Sequence, residues 1–176
     1  MPGDDGGLNI FFYLTEPKSK GSVRIQNDDP LKMVLADEGF LNDPADMEAI
    51  KHIYKVYIKN IAAELSKMDS TYQLISPSLD TINNEKKLEQ FIRDNITPTH
   101  HVQGTNRMAP DQSSGVVDSV GQVYGVKDLM VADDSIAPYV SDGNTSAPAY
   151  FIGTNIADQL LMWEEMNDKE FGVGKW

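Results

Sequence analysis

Cysteine is absent from the 176 residues. That removes disulfides, thiolate metal sites and thiol nucleophiles together, and leaves the compartment open. Positive charge is also scarce: 15 Lys and Arg stand against 27 Asp and Glu, a formal charge of −12. Nucleic acids and anionic lipid surfaces are held by Lys and Arg displacing counterions, so neither partner fits this balance. No apolar run reaches the roughly 18 residues of a membrane helix. Met1 to Gly7 has neither the basic nor the apolar region of a signal peptide, and the chain is expected to be soluble.

Several chemistries are excluded by missing motifs. Gly-x-Ser-x-Gly does not occur, so there is no strand-to-helix elbow for a serine nucleophile. Gly-x-x-x-x-Gly-Lys-Ser/Thr is missing, and Gly172-Val173-Gly174 is not followed by a helix. Gly-x-Gly-x-x-Gly, which would receive a dinucleotide's pyrophosphate, is missing too. For metals, His-Glu-x-x-His is not found, and Asp133-Asp134 and Asp142-Gly143 lack the alternating oxygen ligands of a calcium loop. The adjacent His100 and His101 project to opposite sides of an extended segment and are poorly placed to chelate one ion. Metal dependence is not expected.

What is present suits a folded protein. With 40% hydrophobic and 24% charged residues, the chain can bury one sizeable core, or one domain plus part of another. Leu8–Leu14 is rich in strand formers and Ser22–Gln26 alternates around Val23 and Ile25, with turn residues from Glu16 to Gly21 between them. A hairpin or strand pair is expected there, and Leu31–Leu35 can add another strand. Asp43 suits a helix cap, Pro44 a first helical position, and Asp46 the positive helix end. From Ala45 to about Met68, Ile50, Ile53, Tyr54, Tyr57, Ile58, Ile61 and Leu65 recur at helical spacing, with His52 on the charged side. A second helix is predicted over Asn84–Asn95 and a long one from Ser146 to about Met166, with Thr145 or Ser146 as its cap. Asp118–Tyr124 and Leu129–Ala132 read as strands. Thr99–Met108 has neither periodicity and reads as a site rather than a scaffold.

Histidine is rare, with three in the chain, and two of them are the pair His100-His101 before Gly104-Thr105. An imidazole beside a glycine bend suits proton transfer near neutral pH; it equally suits a surface loop, and the residues alone leave both open.

The string His101-Val102-Gln103-Gly104-Thr105-Asn106-Arg107-Met108 resembles the His-x-x-Gly-Thr-x-Arg-Met segment of glucose-methanol-choline oxidoreductases. Gly115-Val116-Val117-Asp118, Val123-Tyr124-Gly125-Val126, Leu129 to Ser135 with Pro138, Gly143-Asn144 and Ile156-Ala157-Asp158 follow that family's pattern in order and spacing. Pro17-Lys18-Ser19-Lys20-Gly21-Ser22-Val23 matches it more loosely, so the likeness runs from about Leu8 to Leu161. Thr145 and Pro148 depart from the proline and threonine commoner at those places.

The resemblance implies an α+β architecture: a mixed or antiparallel sheet with packed helices over residues 8–109, ending in the catalytic histidine segment. Residues 110–166 would supply strand and helix segments that complete an FAD-binding domain, with a flexible lead-in over 1–7 and a tail over 167–176. It implies that His101 accepts the hydroxyl proton of a small alcohol while hydride passes to flavin N5, and that Asn144 hydrogen-bonds the substrate oxygen. Asp133, Asp134, Asn144 and Thr145 become the expected cofactor contacts. Lacking the glycine-rich unit, the chain is expected to bind FAD only with the missing amino-terminal half, as a fragment of a longer enzyme or one piece of a split one. Two other readings stay open: a non-catalytic interaction module that kept the family's core, and a hydroxynitrile-lyase-like enzyme on the same scaffold.

Overall fold

Asp43 stops the extended chain and starts the first helix: at φ −98° and ψ 125° its side chain accepts the Ala45 N–H, and Pro44 occupies the first turn. The computed structural model describes residues 7–171, with side chains to 164, and its chain divides into two compact units, the first ending at Pro98 and the second beginning at Thr99. It is a small α+β protein with one two-stranded antiparallel sheet and several helices. The expected lead-in and tail fall, apart from Gly7 and the backbone of 167–171, outside the described residues.

In the first unit, α1 (Pro44–His52) passes through a π-helical segment, Ile53–Ile58, into α2 (Lys59–Met68). The helix foreseen over 45–68 is therefore present, but its apolar row is not straight. Bonds from i to i+5 add a residue to the turn and rotate everything downstream. Ile50 and Ile58 are buried, whereas Tyr57 and Ile61 are exposed, contrary to the even 3.6-residue spacing expected of them. Next come α3 (Leu79–Asn83), capped by Ser78 and not foreseen, and α4 (Glu85–Asn95), capped by Asn84.

The core joins Met47 and Ile50 of α1 to Leu88 and Ile92 of α4, with Phe12, Leu14, Leu41, Tyr54 and Ile96 packed against it. Tyr54 stands edge-on to Phe12 and Phe91, at ring-centroid distances of 5.2 and 5.9 Å. Each fully buried aliphatic side chain here contributes about 1.5–3 kcal/mol. Lys51 is buried beside this core and bonds Glu48 at 2.9 Å, with Glu85 and Glu89 of α4 at 3.6 Å. The hydrogen bond to Glu48 and the nearby carboxylates outweigh desolvation and hold its ammonium above the usual lysine range.

Asp46 does more than favour a helix end. It is buried, and its two oxygens accept the N–H groups of Lys18 and Ser19 at 2.8 Å each, while Ser19 Oγ accepts the Asp43 N–H. Burial pushes this carboxyl's pKa up, but the donated hydrogen bonds outweigh burial and hold it below the usual range.

The sheet corrects the expected pairing. β1 (Ser22–Arg24) pairs antiparallel with β2 (Leu35–Asp37), in the register Ser22 to Asp37, Val23 to Ala36 and Arg24 to Leu35. Leu8–Leu14 is not a strand, because no described segment offers it a ladder; Phe12 and Leu14 instead lie against the helical core. Leu31–Leu35 is not one either: Asn27 and Asp29 accept the N–H groups of Asp29 and Leu31 and turn the chain, so pairing begins only at Leu35.

The second unit has little regular structure before α5 (Ser146–Phe171), which continues past the expected Met166. The strands foreseen at 118–124 and 129–132 shrink to isolated bridges, Met108 to Val117, Val117 to Val123 and Gln122 to Met130. Turns interrupt the ladder: Asp118 accepts the N–H groups of Val120 and Gln122, and Gly121 sits at φ +81°. A short 3-10 turn, Asp134–Ile136, brings Ile136 against Val117 and the α5 residue Ile156 to form the second core, joined by Met108, Val123, Met130, Val131 and Ile152. A Cβ at Gly121 would stand 2.7 Å from Val131 O and 2.8 Å from Ile156 Cδ1, so α5 packs directly on that bend.

Candidate active site

The histidine segment is laid along the 3-10 turn by alternating backbone bonds. Asn106 N–H donates to Ser135 O at 2.8 Å and Met108 N–H to Ile136 O at 2.9 Å. The Asn106 amide adds a bond to Ser135 Oγ at 3.0 Å. At the other end, Ile152 and Ile156 anchor α5 in the same core, which places the start of that helix. Ala149 N–H donates to Thr145 O at 3.0 Å, so Thr145 caps α5 through its backbone.

Its hydroxyl is used differently. His101 Nδ1 and Thr145 Oγ1 are 3.1 Å apart, a hydrogen bond that spans 44 residues of sequence. His101 is half-buried, whereas His100, with φ +61°, is exposed; the left-handed turn at His100 gives the two neighbours different surroundings. The loop segment with no periodicity is thus ordered by tertiary bonds.

Of the residues expected to act together, the structure joins His101 directly to Thr145; Asn144, the residue before Thr145, is exposed. Asp134 lies on the 3-10 turn and accepts a bond from Gln103 Nε2 at 2.8 Å. Asp133 is exposed and caps that turn by accepting the Ser135 N–H at 2.8 Å. All five belong to the second unit. Sequence reasoning missed Gln103 and Ser141, which bond each other within this group. The one available signal was an amide standing between the histidine and the glycine bend.

In the same unit Tyr139, Val140, Tyr150 and Phe151 are exposed, Tyr139 at 85% and Tyr150 at 78%. Among the described residues no group of three His, Cys, Asp or Glu is arranged to hold a metal ion, and no helix is long and apolar enough to cross a membrane.

Comparison with known proteins gives the family. The family described as GMC oxidoreductase, in its carboxy-terminal part, matches residues 17–153. The 5-(hydroxymethyl)furfural oxidase of Methylovorus sp. (strain MP688) is 34% identical over 167 residues, 89% of this chain and 32% of that protein. An oxygen-dependent choline dehydrogenase of Sinorhizobium fredii (strain NBRC 101917 / NGR234) is 29% identical over 159 residues, 88% of this chain and 28% of that protein. Among solved structures, an FAD-dependent oxidoreductase from Chaetomium thermophilum superposes with a TM-score of 0.65 at 27% identity, covering 88% of this chain and 25% of that one. The chain therefore spans about a third or less of the length of these relatives, 32% and 28% of the two curated ones.

Proposed function

The chain belongs to the GMC oxidoreductase family as a carboxy-terminal portion of such a protein, and on that premise we propose that it carries the proton-handling side of an FAD-dependent site that oxidises CH–OH groups. The hydrogen bond between His101 Nδ1 and Thr145 Oγ1 carries this reading. When the Thr145 oxygen accepts, the proton sits on Nδ1, and Nε2 presents its lone pair as a base. Two ring nitrogens with distinct tasks are what proton abstraction from an alcohol requires.

In this proposal His101 takes the hydroxyl proton at Nε2, and the Asn144 side-chain amide donates to the same substrate oxygen. Together they stabilise the alkoxide that forms. Bound FAD supplies the hydride acceptor. The donor set fits it: His101 and Thr145, joined by a hydrogen bond, and Asn144, the residue before Thr145, supply polar groups suited to the edge of a flavin ring. The first turn of α5 adds a positive dipole end, which favours negative charge nearby. With no glycine-rich phosphate loop in this chain, the ADP half is assigned to an amino-terminal portion of the kind its longer relatives contain.

The test is flavin bleaching by small alcohols under anaerobic conditions, in the flavin-loaded protein made from this chain and its amino-terminal portion. Bleaching is expected, slowed about a hundredfold or more by His101→Ala, in the range usual for loss of a general base. Flavin uptake without bleaching by any alcohol would leave a lyase, and failure to take up flavin would leave an interaction module; either ends this proposal.

A further inference from the structure

Gln103 takes no part in the proton transfer just described, yet its half-buried amide is engaged at both ends. Nε2 donates to Asp134 Oδ1 at 2.8 Å, and Oε1 accepts the Ser141 N–H at 2.8 Å, with Ser141 Oγ at 3.3 Å. The orientation follows from the partners: a carboxylate only accepts and a backbone N–H only donates, so the amide nitrogen faces Asp134 and its oxygen faces Ser141. No other side chain of this length serves both. Glutamate accepts only, lysine donates only, and leucine does neither.

These bonds tie three segments together: the histidine segment, the 3-10 turn, and the loop that delivers Asn144 and Thr145. That loop needs a fixed point. Between Ser141 and Asn144 lies Gly143, at φ +149° with open space where a Cβ would be, and Gly143 N–H closes back on Ser141 O at 2.9 Å. A freely rotating residue beside the expected substrate-binding amide would let Asn144 and Thr145 swing.

We propose that Gln103 is a positioning residue: its side-chain amide is a strut that holds the Ser141–Thr145 loop against the histidine segment and so sets the bond between Thr145 and His101. The proposal rests on the reading of His101 as the proton-handling residue, but its first test does not involve turnover.

In the full chain, the His101 ring nitrogens and the Ser141 amide are followed by ¹⁵N NMR and hydrogen exchange in wild type, Gln103→Leu and Gln103→Glu. Gln103→Leu is expected to speed Ser141 exchange about tenfold or more and to mix the two His101 tautomers, the scale of one lost hydrogen bond to a charged network. Gln103→Glu sets a second carboxylate against Asp134 and should do the same at neutral pH. On acidification the two carboxyls can share a proton, and Ser141 protection, taken relative to the intrinsic exchange rate at each pH, should return in Gln103→Glu but not in Gln103→Leu. Recovery on acidification is a response that a merely space-filling Gln103 would not produce. Unchanged ring signals in Gln103→Leu, or no recovery in Gln103→Glu, overturn the strut. In the flavin-loaded protein, a His101→Ala variant that bleaches normally would end the proton-handling reading and leave the strut standing.

Discussion

The two units of this chain are held together by different means. The first is built from capped helices whose apolar rows meet, with Met47 and Ile50 against Leu88 and Ile92. The second has one long helix, and the rest is loop backbone tied by bonds between residues far apart in sequence, such as Gln103 with Ser141 and His101 with Thr145. Apolar packing tolerates small adjustments, since side chains can partly collapse into a gap. A network of polar ties and glycine bends tolerates fewer, because each bond needs its own geometry. The candidate chemistry lies in the second unit, where geometry is specified bond by bond.

That comparison can be tested at its extremes. The largest loss is expected from Leu88→Ala, which empties a fully buried site in the first core: about 2–5 kcal/mol, measured by chemical denaturation. The second unit should be most sensitive at Gly121→Ala, which adds a Cβ against Val131 O and Ile156 at a positive φ. A loss of about 1–3 kcal/mol, read as faster exchange of the Val131 amide, is expected. Free acceptance of alanine there would break the contrast, because the bend would then be adjustable.

A smaller effect should separate polar from apolar support within the first unit. Asp46→Ala leaves the N–H groups of Lys18 and Ser19 without their acceptor, and about 1–3 kcal/mol is the expected cost. Because the folded-state pKa of Asp46 is lowered, its contribution is complete above about pH 4 and is lost as the pH falls through the lowered value. Amide exchange at Ser19 followed across pH 5 to 2 checks the sign: protection should fall with acidification in the wild type and be absent in the variant. The smallest effect belongs to the exposed Lys67 and Glu64 pair; Glu64→Gln should change unfolding free energy by less than about 0.5 kcal/mol.

The contrast also accounts for what could be read in advance. The capped helices from Pro44 and Glu85 were legible because cap residues and apolar spacing are local signals. Leu8–Leu14 has the composition of a strand without being one, because a strand also needs a partner, and its residues Phe12 and Leu14 lie against the helical core instead. The exposure of Tyr57 and Ile61 is not legible in the sequence, because a π-helical turn changes the period while leaving the residue types as they are. In the second unit, the expected strands failed at turns set by Asp118 and Gly121. Within the candidate site, His101, Asn144, Asp133, Asp134 and Thr145 were singled out by motif order. Gln103 carries no such signal, since nothing about a single glutamine indicates that both ends of its amide will find partners.

By itself the sequence determined the family, the two capped helices that start at Pro44 and Glu85, and the exclusion of thiol chemistry and of a phosphate-binding loop within the chain. These rest on local composition and on the order of short motifs, which survive without any knowledge of what lies nearby. Only the tertiary structure decided that β1 pairs with β2, that Asp46 is buried under two backbone donors, and that Thr145 rather than a chain neighbour meets His101. The physical reason is common to all three. A hydrogen bond is a relation between two groups in space, and when those groups stand 44 residues apart, as His101 and Thr145 do, neither residue's local pattern contains the other.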